Sequence, residues 1–266
     1  MPINHCTLIN KIIREWIEFA ENMGSTYKEI RYHTIILNGT AGISCDFANC
    51  LIHRGKVNWS LARELGGLFS VNSFSAYYIG QSLDSGIIVK PAKYGSVMYI
   101  SNEKWTKYRN NGLIKDYTNG ADIRVIRLQE SDLLEFVDTV FDAFGYEEQF
   151  KDDSLALYNN GIKSGNVVFY GLFKSDTLVS CAMLHKSPKL KIGGLELVST
   201  KRKYQSQGFS KILISWILDK NFQEGLGDIW LFSIKNSIAE KFYSKLGFEI
   251  ISNIYVFRFS KSPESI

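Results

Sequence analysis

The sequence has few of the features that mark secreted, membrane-spanning or metal-binding proteins. Only four cysteines occur among its 266 residues, and their spacing matches no common zinc or disulfide framework. No apolar run approaches the ~18 residues of a transmembrane helix, and the first residues lack the basic region of a secretory signal. We therefore expect a cytoplasmic protein with reduced thiols, no bound metal and no membrane contact.

An excess of charge of one sign is also missing. The formal net charge is only +4, and the basic residues are dispersed apart from the run at 201–203, which argues against a nucleic-acid partner. The length favours two domains of ordinary size. A polar, turn-forming stretch at 117–121 predicts the boundary, with domains at 1–118 and 119–266.

The first domain is predicted to be a small α+β domain. An amphipathic helix is expected over 8–21, with Glu15 among the polar residues away from its apolar face. Strands are predicted over 31–37, 45–54, 74–79 and 97–100, and a short helix over 60–65.

The clearest pattern lies in the second domain, where a β-prone stretch at 195–199 leads through a glycine-containing loop to a helix that starts at Phe209. The first N–H groups of a helix lack intrahelical partners, and the helix dipole is positive there. An anion such as a pyrophosphate can bind at such a site. The sequence therefore predicts an anion-binding loop over 205–210.

Two motifs resemble those of one family. The loop Gln205-x-x-Gly208-x-Ser210 resembles the Q/R-x-x-G-x-G/A loop with which the GNAT superfamily, the GCN5-related N-acetyltransferases, binds the pyrophosphate of acetyl-coenzyme A. Residues 236–248 resemble the family's second signature, N-x-x-A-x-x-F-Y-x-K-x-G-F. Ser210 departs from the usual Gly or Ala but is still small.

The predicted order of elements over 119–266 is also that of the mixed-sheet, α+β GNAT fold. It is β-α-α-β-β-β-α-β-α-β. The first six elements are predicted at 123–127, 132–144, 154–163, 167–173, 177–185 and 193–199, the seventh is the helix that begins at residue 209, and the last three are at 228–233, 237–246 and 249–259. The first domain resembles the degenerate first half of tandem GNAT proteins, without a coenzyme loop of its own.

The resemblance implies an acetyl-coenzyme A-dependent N-acetyltransferase. Such an enzyme transfers the acetyl group to a primary amine of a small molecule or peptide by direct attack on the thioester. The residues implied in coenzyme binding are Leu197, Val198, Ser199, Gln205, Ser206, Gln207, Gly208, Phe209, Ser210, Asn236 and Tyr243.

Two catalytic roles follow from the same resemblance. Tyr243 is the candidate acid that protonates the departing thiolate, the alternative being a core tyrosine. Glu196 alternates with Leu195 and Leu197 on a strand, so with the leucines in the core it faces the acceptor groove as the general base. The alternative is a solvent-facing glutamate, and His185 is a weaker rival for the base.

Other functions stay open at this stage. A non-catalytic sensor or interaction protein that binds coenzyme A would keep the same motifs. Aminoacyl transfer from tRNA by the related Fem-type enzymes would need a more basic surface. The basic run at 201–203 and Lys211 either contact the coenzyme's phosphates or form solvated surface.

Overall fold

Both halves of the chain contribute strands to one continuous sheet. The structure is a computed structural model and describes residues 5–30, 33–38, 50–53, 73–80, 91–110 and 122–260. The strands are β1 (Ser25–Ile30), β2 (His33–Asn38), β3 (Cys50–His53), β4 (Ser73–Gly80), β5 (Lys93–Ile100), β6 (Ile123–Arg127), β7 (Val167–Lys174), β8 (Thr177–Ser187), β9 (Ile192–Thr200), β10 (Asp228–Ile234) and β11 (Glu249–Ser260). Their order in the sheet is β1-β2-β3-β4-β11-β5-β10-β9-β8-β7-β6.

Helices pack on both faces of this sheet. They are α1 (His5–Asn22), α2 (Asn102–Tyr108), α3 (Leu133–Phe144), α4 (Lys151–Ser164), α5 (Phe209–Gln223) and α6 (Ile238–Lys245). One apolar core joins α1, α3 and α4 to the first face, and a second joins α2, α5 and α6 to the other. Within the described ranges, none of these helices has both the length and the apolar character required to cross a bilayer.

The predicted mixed α+β fold of the second half is confirmed, with every predicted element present and bounds within a few residues. The sequence reading missed β1 and α2. Strand β1 is a largely polar edge strand, and the short helix α2 buries only Trp105. The expected helix over 60–65, most of the 45–54 strand and the boundary at 117–121 lie outside the described residues, so the division into 1–118 and 119–266 stays a prediction.

Strand β5 comes from the first half of the chain but lies inside the sheet of the second half. It pairs antiparallel with both β10 and β11, while β11, the last strand, also pairs with β4. Side chains reinforce the junction, since Ser96 Oγ donates to Glu240 Oε2 at 2.6 Å and Trp105 Nε1 donates to Asp219 Oδ1 at 2.8 Å. The sheet of the second half is therefore completed by a strand from the first.

Gly95 gives a test of this junction. A Cβ at this position would lie 2.5 Å from the backbone oxygen of Ser233 on β10, so Gly95→Ala must displace backbone. We expect the free energy of unfolding in urea to fall by about 2–3 kcal/mol. In the control Gly165→Ala, where a Cβ meets nothing within 4 Å at a φ of +75°, the loss should be about 1 kcal/mol. A Gly95→Ala protein as stable as the wild type would contradict the tight junction.

Candidate functional site

The parallel strands β9 and β10 separate partway along their length. They pair only where residues 192–194 lie beside residues 228–230, ending at Gly194 and Trp230. Beyond this point β9 continues to Thr200 and β10 to Ile234 without pairing to each other. We call the opening between residues 195–200 and 231–234 the fork.

A β-bulge in β9 lies at the fork. Leu197 has a φ of +52°, and the register against β8 slips there, so that Leu197 and Val198 both lie opposite Ala182. The bulge changes the alternation of side chains. Leu195 packs in the core beneath α5, whereas Leu197 packs against the core beneath α1. The expectation that both leucines share one face was therefore wrong, although Glu196 does face the groove.

A cavity of about 500 Å³ opens at the fork. Residues 195–198 of β9 and Tyr243 of α6 line one part of it. Aromatic side chains from α3, α4 and the segment between them line another part, and they are Phe141, Phe144, Tyr146, Phe150 and Tyr158. Lys93 and Arg258 also reach the cavity wall. Both residues proposed from the sequence for catalysis thus meet in one cavity.

Glu196 is a buried carboxyl group that faces this cavity. Only 9% of the residue is exposed, and in the described part of the chain its side chain has no hydrogen-bond partner. Burial, reinforced by the nearby charge of Glu15, raises the pKa of Glu196 to about 8. A carboxyl group with this pKa exchanges protons near neutral pH, as a general base must.

Tyr243 presents a phenol to the same cavity. Its ring packs against Phe242 and Phe248, while its hydroxyl makes no hydrogen bond to any described residue. Burial, together with the charge of Glu196, raises the pKa of the Tyr243 phenol well above its usual range. The phenol therefore keeps its proton at physiological pH and is available as a hydrogen-bond donor.

The loop at 205–210 forms an open cradle of backbone amides. Gly208 has a φ of +87° as the N-cap of α5, and a Cβ added there would meet no described atom within 4 Å. Lys211 and Ile212 donate to the Gly208 oxygen, but the amides of residues 206–210 find no acceptor within the described ranges. No side chain of the described residues fills the cradle.

Two loop side chains fasten the cradle to the end of β9. Gln205 Nε2 donates to the Thr200 oxygen at 3.2 Å, and the Ser210 hydroxyl lies 2.7 Å from the Thr200 hydroxyl. The departure of Ser210 from Gly or Ala has a physical role here, because its hydroxyl anchors the first turn of α5.

Three residues singled out in the sequence lie away from the cavity. Ser199 is buried, and its hydroxyl donates to the Leu197 oxygen at 3.0 Å. Asn236 is exposed with a φ of +60°, just before Ser237, whose side chain caps α6. His185 is fully buried with both ring nitrogens engaged, Nδ1 by Glu15 and Nε2 by Asn22.

The basic residues near the loop are partly occupied by protein contacts. Lys201 Nζ lies 3.5 Å from Glu135 Oε1, and the Lys203 ammonium lies 4.9 Å from the centre of the Tyr204 ring. The Arg202 amide donates to Asp142 Oδ2 at 2.7 Å, which ties the loop to α3.

Sequence reasoning missed Glu15, which is fully buried next to the site. The expectation that Glu15 lies away from the apolar face of α1 was wrong. A signal existed, because Leu8, Ile12, Glu15 and Phe19 form one stripe at spacings of four, three and four. A carboxylate inside an apolar stripe indicates a buried polar partner.

Comparison with known proteins agrees with this geometry. Residues 132–248 match the model of the Acetyltransferase (GNAT) family. No curated protein matches the chain by sequence.

Solved structures match nearly the whole chain at low identity. A GCN5-related N-acetyltransferase from Kribbella flavida has a TM-score of 0.66 at 10% identity, covering 98% of this chain and 97% of that chain. A functionally unknown conserved protein from Staphylococcus epidermidis has a TM-score of 0.63 at 11% identity, with coverages of 90% and 95%. A tandem GNAT protein from the clavulanic acid biosynthesis pathway has a TM-score of 0.55 at 10% identity, with coverages of 98% and 97%.

At these identities the likeness to solved structures shows a shared fold, which extends over both halves of the chain. The family match adds the specific assignment for the second half. Within the chain, residues 132–248 form a segment that matches the GNAT acetyltransferase family.

Proposed function

We propose that this protein is an acetyl-coenzyme A-dependent N-acetyltransferase that acts on a primary amine of a small molecule or peptide. The observation that carries the proposal is the meeting, in one cavity at the fork, of a carboxyl group and a phenol that have no hydrogen-bond partner among the described residues. Unpartnered buried polar groups are costly unless a ligand engages them.

The open cradle and the fork suit the two parts of the coenzyme. Its pyrophosphate would bind the free amides of residues 206–210 at the N-terminus of α5. Its pantetheine arm would run along β9 at Leu197, Val198 and Ser199 as an added strand, because β10 leaves this edge unpaired. We keep Asn236, on the exposed rim before α6, as a proposed contact to the outer part of that arm.

The residues of the cavity supply the proton transfers and the charge stabilisation that acetyl transfer requires. Glu196 accepts a proton from the incoming ammonium, leaving the neutral amine to attack the thioester carbonyl. The backbone N–H of Val198 stabilises the oxyanion. Tyr243 then gives its proton to the thiolate as the carbon–sulfur bond breaks. The attacking nitrogen loses its second proton, which returns to the Tyr243 oxygen, and the products are the amide, the free thiol and one proton on Glu196.

The side chains that line the cavity indicate which kind of acceptor amine it favours. Its aromatic lining from α3 and α4 favours an amine with an apolar body. The same proposal includes the cytoplasm as the site of action, where acetyl-coenzyme A and reduced thiols are both present.

Gly208 tests the coenzyme site. In Gly208→Leu the side chain would fill the cradle, and we expect the affinity for acetyl-coenzyme A in titration calorimetry to fall about 100-fold, or ~2.7 kcal/mol. Gly165→Leu is a matched control, because this glycine also has a positive φ and open space around its Cβ. Equal affinities in the two variants would place the phosphates elsewhere.

Tyr243→Phe tests the acid. We expect the rate of thiol release with an amine panel to fall about 100-fold with coenzyme affinity unchanged. Tyr170→Phe removes a hydroxyl from a buried tyrosine outside the cavity and should keep the wild-type rate. No thiol release by the wild-type protein with any amine would instead favour a non-catalytic coenzyme-binding protein.

Glu196→Gln tests the base. The wild-type profile of kcat/KM for the amine should rise with an apparent pKa of about 8, and the variant should lose this limb and about 100-fold in rate.

Stability gives an independent check on that pKa. The folded-state pKa of Glu196, about 8, lies above the ordinary 4.5, so this group's contribution is complete below pH ~4.5 and lost as the pH rises to 8. The free energy of unfolding of the wild type, relative to Glu196→Gln, should therefore fall between pH 5 and pH 9. A difference that does not change with pH would contradict the raised pKa.

A further inference from the structure

A carboxylate from the first half of the chain lies at the point where β9 and β10 part. Glu15 of α1 is fully buried and accepts three hydrogen bonds. Its Oε1 accepts from the Gly194 amide at 3.1 Å and from His185 Nδ1, and its Oε2 accepts from Trp230 Nε1 at 2.8 Å. Gly194 and Trp230 are the last paired residues before the fork.

The partners of Glu15 are themselves held in place. Asn22, two turns further along α1, bonds His185 Nε2 through its side-chain nitrogen at 3.0 Å. With Nε2 as acceptor, the proton of the imidazole lies on Nδ1 and points to Glu15. A Cβ at Gly194 would lie 3.1 Å from the Trp230 ring and 3.3 Å from Glu15 Oε2, so the lack of a side chain there lets the carboxylate approach both strands.

We propose that Glu15 is a positioning residue for acetyl transfer, which holds β9 and β10 at the start of the fork and places a second carboxyl group on the Gly194 amide, two residues before Glu196. The proposal rests on the function proposed above. It gives the first half of the chain a part in the reaction, because α1 then acts on the catalytic strand without contacting either substrate.

The groups around Glu15 and Glu196 determine in which direction the pKa of Glu196 should change when Glu15 is neutralised. Glu15 contacts His185 from β8 and Trp230 from β10, and it acts electrostatically on Glu196 of β9. Tyr243 from α6 lies near Glu196, and Lys93 and Arg258 line the same cavity from β5 and β11. Burial raises the pKa of Glu15 itself, against the lowering effect of its contacts with His185, Trp230 and Gly194. Where Glu15 is ionised, its charge raises the pKa of Glu196, so Glu15→Gln should lower that pKa.

The deciding variant is Glu15→Gln, which keeps the shape and removes the charge. Its folding is checked by thermal melting. We expect the rising limb of the pH profile of kcat/KM for the amine to move to lower pH by about one unit, and kcat at the plateau to fall about tenfold because the amide cannot accept all three hydrogen bonds. Affinity for acetyl-coenzyme A at the cradle should change less than the rate. A folded Glu15→Gln protein with the wild-type limb and the wild-type kcat would overturn the proposal.

Glu15→Asp tests the length of the side chain separately from its charge. It also replaces Glu15→Gln as the test if that variant does not fold. It keeps the carboxylate but shortens the side chain, so the limb should stay at the wild-type pH while kcat falls. Asn22→Ala is the companion variant, which loosens His185 and leaves the charge of Glu15 in place, so the limb should again not move. A wild-type kcat in Glu15→Asp would overturn the positioning role. A shift of the rising limb of the pH profile in Asn22→Ala would show that the charge of Glu15 does not set the position of that limb.

A direct titration distinguishes failure of this inference from failure of the proposed function. The carboxyl carbon of Glu196, assigned by its loss in Glu196→Gln, can be followed by ¹³C NMR in the wild type and in Glu15→Gln without any turnover. If the titration midpoint of Glu196 is lower in Glu15→Gln but the wild-type protein shows no activity, the coupling of the two carboxyl groups is supported and the proposed enzymatic function is rejected. If the wild-type protein is active but the titration midpoint of Glu196 does not change in Glu15→Gln, only the coupling is rejected.

Discussion

The end of the pairing between β9 and β10 is the constraint on which the site depends. Had the parallel ladder continued past Gly194 and Trp230, its hydrogen bonds would have consumed the edge of β9, and the cavity would have closed. Three features surround the point where the strands part. The bulge at Leu197 changes the course of β9, β5 holds β10 from its other side, and the Glu15 carboxylate binds both strands at the last paired position.

The two halves of the chain depend on each other physically. The first half has no coenzyme loop of its own in its sequence, yet its β5 completes the sheet and its α1 covers one face of the second half. In turn, β11 of the second half pairs with β4 of the first half. The shape of the fork therefore depends on contacts from both halves, and Lys93 of β5 also lines the cavity.

Desolvation is the main electrostatic effect in the cavity. Glu196 and Tyr243 both lie out of water, and burial is the largest cause of the raised pKa of each. The result is a carboxyl group near its midpoint at mildly alkaline pH beside a phenol that stays protonated. These are the protonation states that a base and an acid need at the start of acetyl transfer.

The sequence by itself determined the elements of the second half and its resemblance to the family, and it predicted the anion-binding loop, because hydrophobic periodicity and the two motifs are local patterns. It also brought Glu196, Val198 and Tyr243 forward as one site. Only the tertiary structure decided that Leu195 and Leu197 face opposite cores, since a bulge depends on the register with a neighbouring strand. It alone placed β5 between β10 and β11 and the buried Glu15 at the fork, because these contacts join residues more than a hundred positions apart, which no local pattern encodes.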